Sequence, residues 1–181
     1  MTIIPPVFSY AHLRQMPDDG KRYEILDGEL AVSPSPKRKH QRIVWRLTHL
    51  LDRAVQAGYG EGYTAPFDVL LDERNVVQPD LLFVRSDRLH IITEENVRGA
   101  PDLIVEVLSE GTRERDLGAK LRIYARFGVR FYWVVDPDAQ TARVYEHAPE
   151  GYRELPPLGA GDTLTCALFP DITLPLAALF A

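Results

Sequence analysis

Three short apolar runs, DLLFV, LIVEVL and FYWVV, form the most regular pattern along the chain. Their residues are apolar at successive positions, so both faces of each strand must be covered, as in the centre of an α/β sheet. The pattern therefore predicts central strands over 78–84, 101–109 and 130–136.

Two longer stretches have the spacing of helices that bury one face. The first runs from Lys37 to about Ala57 and the second over 112–127, and a glycine follows each of them. Further strand signals lie at 61–71 and 142–147. Because no repeat, low-complexity segment or long linker divides the chain, we expect one α/β domain over residues 1–181.

The two ends of the chain carry simpler signals. YEILDGELAVSP predicts a β-hairpin, because Asp27-Gly28 lies between two mostly apolar arms and is typical of a two-residue turn. A short helix or turn is expected before it, over 10–15. The apolar tail DITLPLAALFA is expected to pack back on the body of the protein.

The composition of the chain excludes several classes of protein. No apolar run approaches the ~18 residues needed to cross a bilayer, and the first residues lack a signal-peptide pattern, so we expect a cytoplasmic protein without a membrane partner. One cysteine, Cys166, excludes an internal disulfide and a cysteine-based zinc site. The net charge of −5 argues against indiscriminate coating of nucleic acid. Any such contact is expected to be local, for example at KRKH, 37–40.

Glu106 interrupts an otherwise apolar strand. Side chains alternate, so Glu106 faces the same covered layer as Ile104 and Leu108. A buried ionised carboxylate costs several kcal/mol unless a cation, a metal or a function maintains it. Asp80 begins the preceding strand and can reach the same place. Asp102 cannot, because it lies four residues before Glu106 on one strand, about 13 Å away at ~3.3 Å per residue.

Lys120 is the candidate counter-charge for Glu106. It lies on the shoulder of the apolar stripe of the helix over 112–127, so we expect it to point toward the sheet. A lysine in such a position commonly packs its stem on the core and keeps its ammonium in solvent. However, a helix that directly follows the Glu106 strand would supply the cation that Glu106 lacks.

Asp80 in QPD and Glu106 in EVL resemble the active-site pattern of the PD-(D/E)XK nuclease superfamily, whose fold is that of restriction endonucleases. YEILDGEL, SPSPKRKHQRIVWRL, PDLIVEVLSEGTRERDLGAKLRIYARFGV and YWVVDP are together similar to a bacterial family within it that was long classed as a domain of unknown function. The resemblance covers about residues 8–147. It implies a restriction endonuclease-like core, with a central mixed β-sheet flanked by helices and an N-terminal β-hairpin.

The resemblance also implies roles for individual residues. Asp80 and Glu106 would bind Mg²⁺, for which Mn²⁺ can substitute, and the Val107 carbonyl would be a further ligand. Lys120 would be the active-site lysine. The superfamily usually places that lysine two residues after the second acid, where this chain has Leu108, so the assignment to Lys120 follows the narrower family.

Four more positions are candidates. Glu24 matches a recurrent acidic position and would complete the acidic cluster as a catalytic residue, although an exposed acid of the hairpin fits the pattern equally well. His40 would contact a phosphate or a metal-bound water. Lys37 and Tyr124 are the other candidates for nucleic-acid contact.

Three interpretations remain open at this stage. In the first, the protein is a Mg²⁺-dependent endonuclease that hydrolyses DNA without an organic cofactor, and it is a candidate homodimer in which the apolar tail forms the contact. In the second, it is a catalytically inactive module of the same fold that binds nucleic acid or a protein. In the third, Glu106 and Lys120 are a structural ion pair.

Overall fold

The computed structural model describes residues 7–181. Its strands are β1 (Arg22–Leu26), β2 (Glu29–Ser33), β3 (Gly60–Thr64), β4 (Asp68–Asp72), β5 (Asn75–Val77), β6 (Leu81–Arg85), β7 (Asn96–Arg98), β8 (Leu103–Val107), β9 (Phe131–Asp136), β10 (Thr141–Ala148), β11 (Gly151–Glu154), β12 (Leu158–Gly159), β13 (Thr163–Thr165) and β14 (Thr173–Pro175). Its α-helices are α1 (Tyr10–Leu13), α2 (Arg38–Gln56), α3 (Arg113–Asp116), α4 (Ala119–Phe127) and α5 (Leu176–Phe180), and a 3₁₀ helix spans Ser86–Ile91.

The larger sheet has the order β11-β10-β9-β8-β6-β3, with β12 paired to β10. It is mixed, because β8 and β9 run parallel whereas its other pairs are antiparallel. One face packs on α2, and the other packs on α4. The predicted α/β fold with a central mixed sheet flanked by helices is confirmed.

The alternation predicted for β8 is also confirmed. Leu103 and Val105 belong to the core that includes the buried side chains of α2. Ile104 belongs to the core on the α4 side. Glu106 faces α4 as well, because its carboxylate contacts side chains of that helix.

The N-terminal hairpin forms as predicted and belongs to a second, smaller sheet. β1 and β2 pair with Leu26 opposite Glu29, and both residues of the turn, Asp27 and Gly28, have positive φ. A two-residue turn of this kind needs positive φ at both positions, and Asp-Gly provides it. The smaller sheet has the order β2-β1-β5-β4-β7, which brings β1 beside the chain segment that leads into β6.

The predicted strand over 61–71 is wrong as one element. It is divided into β3, in the larger sheet, and β4, in the smaller one. Pro66 lies between them. Proline has no N–H to donate to a strand ladder, which explains why pairing stops there.

The predicted helix over 112–127 is also divided, into α3 and α4. Gly118 separates them with φ −122° and ψ −90°, outside the helical region. A Cβ atom at this position would lie 2.6 Å from the Glu114 carbonyl oxygen, closer than real Cβ contacts. Only glycine fits this break, which sets the relative positions of Asp116 and Lys120.

Gly118→Ala is expected to lower the free energy of unfolding by about 1–3 kcal/mol, the usual range for forcing an extra carbon into a packed position. Urea denaturation measures this change. Gly161→Ala is the matched control, because a Cβ there meets nothing within 4 Å. Equal stability of the two variants would contradict the steric explanation.

The C-terminal tail packs on the body of the protein, as predicted. Leu176 and Leu179 are fully buried in the core that also contains α2, and Arg46 Nη1 donates to the Leu179 carbonyl at 2.8 Å. Leu176 and Leu179 are therefore part of the chain's own core, and the homodimer contact assigned to the tail stays a prediction. Cys166 is buried in the same core, as expected. No helix in the described part of the chain has both the length and the apolar character needed to span a bilayer.

Candidate active site

A cavity of about 490 Å³ lies where the two sheets meet. Its walls come from β1, the loop between β2 and α2, the start of α2, the residue before β6, the end of β8, and α3 and α4. Charged side chains from all of these elements line it. The cavity therefore collects residues that are far apart in the sequence.

Lys120 is the centre of a buried cluster of carboxylates. Its ammonium Nζ lies 2.8 Å from Glu24 Oε1, 2.8 Å from Glu106 Oε1 and 3.6 Å from Asp116 Oδ1. Burial opposes the charged form of Lys120, but these three carboxylates outweigh it and hold its pKa well above the usual value. The predicted inward orientation of Lys120 is confirmed.

Asp80 lies at the same end of the sheet and accepts three hydrogen bonds. Arg22 Nη1 donates to Oδ1 at 2.9 Å, while His40 Nε2 and the Val107 backbone N–H lie 2.9 and 2.8 Å from Oδ2. Burial would raise the pKa of Asp80, but the His40 hydrogen bond and the Arg22 charge keep it below its ordinary value. Asp80 is thus ionised, and it is hydrogen-bonded to the backbone of Val107, the residue that follows Glu106.

Glu106 has a strongly perturbed carboxyl group. Burial raises its pKa to about 8; the positive charge of Lys120 acts against this, and the negative charges of Asp116 and Asp80 add to it. Tyr124 donates its hydroxyl to Glu106 Oε1 at 3.1 Å. The raised pKa of Glu106 therefore reflects burial first and the neighbouring carboxylates second.

The cluster contains more carboxyl groups than permanent cations. Its carboxylates belong to Glu24, Asp80, Glu106 and Asp116, and its permanent cations to Arg22 and Lys120. Four carboxyl groups therefore face two permanent cations, and all four are almost completely buried. Burial raises the pKa of Glu106 and of Asp116, so without a metal the cluster retains protons in place of a further cation. In addition, Asp116 Oδ1 is buried without a hydrogen bond. A divalent cation would balance this excess of charge.

The donor set is of the kind that suits Mg²⁺. Within residues 7–181, no three Asp, Glu, His or Cys side chains are spaced as a complete metal cage. Mg²⁺ does not require one, since it is usually held by one or two carboxylates together with waters and substrate phosphates. Asp80, directly before β6, and Glu106, on the adjacent strand β8, provide two such carboxylates at one end of the sheet.

The structure brings the four predicted acidic and lysine residues to one cavity. Glu24 is only 2% exposed, so the reading of it as a surface acid of the hairpin is wrong. Asp102 is excluded from the cluster, as predicted. Its Oδ2 accepts a hydrogen bond from the Arg85 backbone N–H at 3.0 Å, and its Oδ1 forms an ion pair with Arg88 Nη1 at 2.8 Å.

The three predicted nucleic-acid contacts have different surroundings. His40 lines the cavity, and its Nδ1 is buried without a partner. Lys37 is exposed at the start of α2, with its Nζ 3.6 Å from Glu110. Tyr124 is fully buried and packs edge-on against Tyr132, with ring centroids 4.9 Å apart. The prediction that Tyr124 contacts nucleic acid is therefore wrong; the residue positions Glu106 instead.

Sequence reasoning missed two members of the cluster. Asp116 precedes Lys120 by four residues, and that spacing is a signal for an ion pair on one helix face. Arg22 precedes Glu24 by two residues on β1, so the two share a face of the strand. Both signals become informative only after Lys120 and Glu24 have been placed in the site.

Comparison with known proteins identifies the family and the shared fold. The Uma2 family, described as "Putative restriction endonuclease", matches residues 10–177. A solved structure from Anabaena variabilis, described as a "putative nuclease belonging to DUF820", matches with a TM-score of 0.79 and 17% identity over 96% of this chain and 97% of that chain. At this identity the match shows the shared fold.

A second solved structure, the type IIG restriction endonuclease BpuSI, matches with a TM-score of 0.42 and 16% identity, over 82% of this chain and 16% of that one. That similarity is too low to support an argument. Among curated proteins, none matches this chain. The family match covers nearly the whole sequence and agrees with the resemblance to PD-(D/E)XK nucleases, so the chain belongs to the Uma2 family.

Proposed function

We propose that this protein is a Mg²⁺-dependent endonuclease that hydrolyses phosphodiester bonds of DNA. The observation that supports this most strongly is the buried excess of carboxylates over permanent cations around Asp80, Glu106 and Lys120. Because buried like charges repel one another, such a set of carboxyl groups binds either protons, as the raised pKa of Glu106 indicates, or a metal cation. The chain belongs to a family described as "Putative restriction endonuclease", and a metal-dependent nuclease would use the excess of carboxyl groups to bind its metal.

Asp80 and Glu106, together with the Val107 carbonyl, would hold Mg²⁺. When bound, Mg²⁺ supplies Lewis-acid catalysis toward a phosphodiester. Arg22 and His40 keep Asp80 ionised and oriented through hydrogen bonds of 2.9 Å each. The protein thus keeps Asp80, one of its two proposed carboxylate ligands, in the charged form even without a metal.

Lys120 would stabilise the negative charge that develops on the phosphate during cleavage. A preorganised cation is effective in this role because it needs no reorientation during the reaction. Glu24 and Asp116 hold the ammonium from β1 and α3, at 2.8 and 3.6 Å. Their contribution is to fix the position of Lys120, which the superfamily pattern would place on the strand itself.

A catalytically inactive module of the same fold is the second candidate. It is favoured by the contact between Lys120 Nζ and Glu106 Oε1 at 2.8 Å, which in isolation is a buried structural ion pair. This candidate leaves the convergence of four carboxyl groups on two permanent cations without a role. Binding of Mg²⁺ and cleavage of DNA distinguish the two candidates.

Asp80→Asn is expected to lower cleavage by at least about 10²-fold, because it removes a ligand charge from the proposed metal site. The assay uses plasmid DNA, labelled duplex, labelled single strands and RNA, each with Mg²⁺, Mn²⁺ or EDTA. Asp80→Asn should also lose any rise in melting temperature that Mg²⁺ gives the wild type. Asp18→Asn, at an exposed acid outside the cavity, is the matched control. Binding of DNA with no cleavage under either metal would favour the inactive module.

A further inference from the structure

We infer that the substrate is a single strand, and that the exposed face of α2 is the surface along which this strand lies. The inference deepens the proposed nuclease function and rests on it. The surface, here called the α2 track, consists of Arg38, Arg42, Trp45 and His49. It is distinct from the buried cluster described above.

The first observation is the distribution of charge. Residues 37–56, which are α2 and the residue before it, contain six Lys and Arg and one Asp, a net charge of +5. The whole chain has a net charge of −5, so the other residues together carry −10. A polyanion that approaches this protein is attracted to α2 and repelled by most of the remaining surface.

The second observation is the composition of the exposed face. Spacings of four, three and four residues place the members of the α2 track on one side of the helix. Trp45 is 66% exposed, more than any other large apolar side chain in residues 7–181. Its ring is supported edge-on by His49, with centroids 5.0 Å apart. Within the described residues, neither Arg38 nor Arg42 forms an ion pair.

An exposed tryptophan next to arginines that form no ion pair with any described residue matches the chemistry of single-strand binding. Aromatic side chains stack on bases of any sequence, while cations beside them contact the backbone phosphates. An apolar protein partner would match Trp45 but would leave Arg38 and Arg42 desolvated and unpaired. The combination therefore favours nucleic acid as the occupant.

The third observation is the continuity of the α2 track with the cavity. Lys37, Lys39 and His40, at the start of α2, line the cavity. Trp45 lies five residues beyond His40, about 8 Å along the helix axis at 1.5 Å per residue, and on the opposite side of the helix. A strand with one phosphate in the cavity can therefore reach the track by passing over the N-terminal end of α2, where Lys37 and Lys39 lie.

The fourth observation is the recessed position of the acidic cluster. Asp80, Glu106 and Lys120 are each only 3% exposed and lie in a cavity of about 490 Å³. A cavity of this size accepts a small-molecule-sized group. Duplex DNA is stiff, with a persistence length of about 50 nm, so bringing one of its phosphates into such a space costs deformation energy. A flexible single strand enters without that cost.

Oligonucleotide binding tests the inference without cleavage. Fluorescein-labelled DNA of about 12 nucleotides, single-stranded or duplex, is titrated by anisotropy into full-length protein in EDTA. We expect the single strand to bind at least about 10-fold more tightly than the duplex. Trp45→Ala should weaken single-strand binding on the order of 10-fold, and Trp45→Phe should weaken it less, because a phenyl ring still stacks.

The charge of the track is tested by the salt dependence of binding. Arg38→Gln with Arg42→Gln should reduce the slope of log affinity against log salt by about 0.7 for each phosphate that the variant no longer neutralises. Arg14→Gln, at an exposed arginine that does not line the cavity, is the matched control and should leave the slope unchanged. An unchanged slope in the double variant would overturn the inference.

Intrinsic fluorescence gives a direct report on Trp45. The other tryptophan, Trp133, is fully buried, so quenching by the single strand should come from Trp45 and should disappear in Trp45→Phe. Equal affinity for duplex and single strand, or an unaltered affinity of Trp45→Ala, would contradict the inference. If Trp45→Ala instead dissociates a dimer in sedimentation while DNA affinity stays the same, the face belongs to a second copy of the chain and the inference is wrong.

The two proposals fail in different ways. Binding that depends on Trp45, without cleavage of any substrate, would contradict the nuclease function and leave the α2 track supported as a binding surface. Cleavage of single strands at the wild-type rate by Trp45→Ala and by the double arginine variant would contradict the track alone.

Discussion

Lys120→Ala is expected to lower Mg²⁺-dependent cleavage of DNA by on the order of 10²–10³-fold, the usual scale for loss of one preorganised electrostatic donor. The affinity for Mg²⁺ should stay the same or increase slightly, because a competing cation is removed from beside Glu106. Single-turnover cleavage and Mg²⁺ titration measure the two effects separately.

The same substitution should destabilise the protein in EDTA. Glu24, Glu106 and Asp116 would lose the ammonium that lies within 3.6 Å of each, and removal of one partner from a buried ion pair typically costs about 3–5 kcal/mol. Mg²⁺ should therefore raise the melting temperature of Lys120→Ala more than that of the wild type.

Two companion variants make the Lys120 prediction specific. Lys120→Met keeps an unbranched side chain without charge, so it should match Lys120→Ala in activity while filling more of the space. Lys120→Arg should restore activity only in part, because a guanidinium is larger, planar and differently aimed. If Lys120→Ala cuts DNA at the wild-type rate, Lys120 is a structural residue and the inactive module becomes the better account.

Glu106→Gln is expected to abolish detectable cleavage and yet to keep or raise the stability of the metal-free protein. Burial raises the pKa of Glu106 from an ordinary 4.5 to about 8. The folded protein thus binds this proton more tightly than the unfolded chain, so the wild type loses stability as the pH rises from about 4.5 to about 8. Glutamine has no proton to lose and keeps the shape of the side chain.

The advantage in stability of Glu106→Gln over the wild type should therefore grow across that pH window and level off above it. Its upper limit is several kcal/mol, at about 1.4 kcal/mol for each unit of pKa. Chemical denaturation at several pH values in EDTA measures it, with Glu73→Gln, an exposed acid, as the control. A large loss of stability at every pH would support the structural ion pair between Glu106 and Lys120.

Local patterns predicted those parts of the site that depend on a single element. Alternation along β8 was enough to place Glu106 on the α4 side, and the helical wheel was enough to turn Lys120 inward. Asp27-Gly28 predicted the hairpin turn, because only a few residue pairs adopt positive φ at both positions. In each case a strong local preference agrees with the final structure.

The features that escaped prediction depend on contacts between distant segments. Gly118 fits the helical pattern of the sequence. Only the structure shows that a Cβ atom at this position would lie 2.6 Å from the Glu114 carbonyl oxygen. Tyr124 resembles a surface aromatic of the site until the sheet is known to cover it. Arg22 donates a hydrogen bond to Asp80, which lies 58 residues further along the sequence. A pattern within one element cannot predict a contact at that separation.

The smaller sheet supplies Arg22 and Glu24, whereas the larger sheet and its helices supply the rest of the cluster. A ribosome releases the N-terminal hairpin long before residues 113–127, so a nascent chain holds only part of the charge set. The proposed hydrolytic activity would then require that synthesis has passed Lys120 and that the two sheets have docked. The proposed nuclease would thus be inactive while it is being made, and truncated products that end before α4 would lack Lys120.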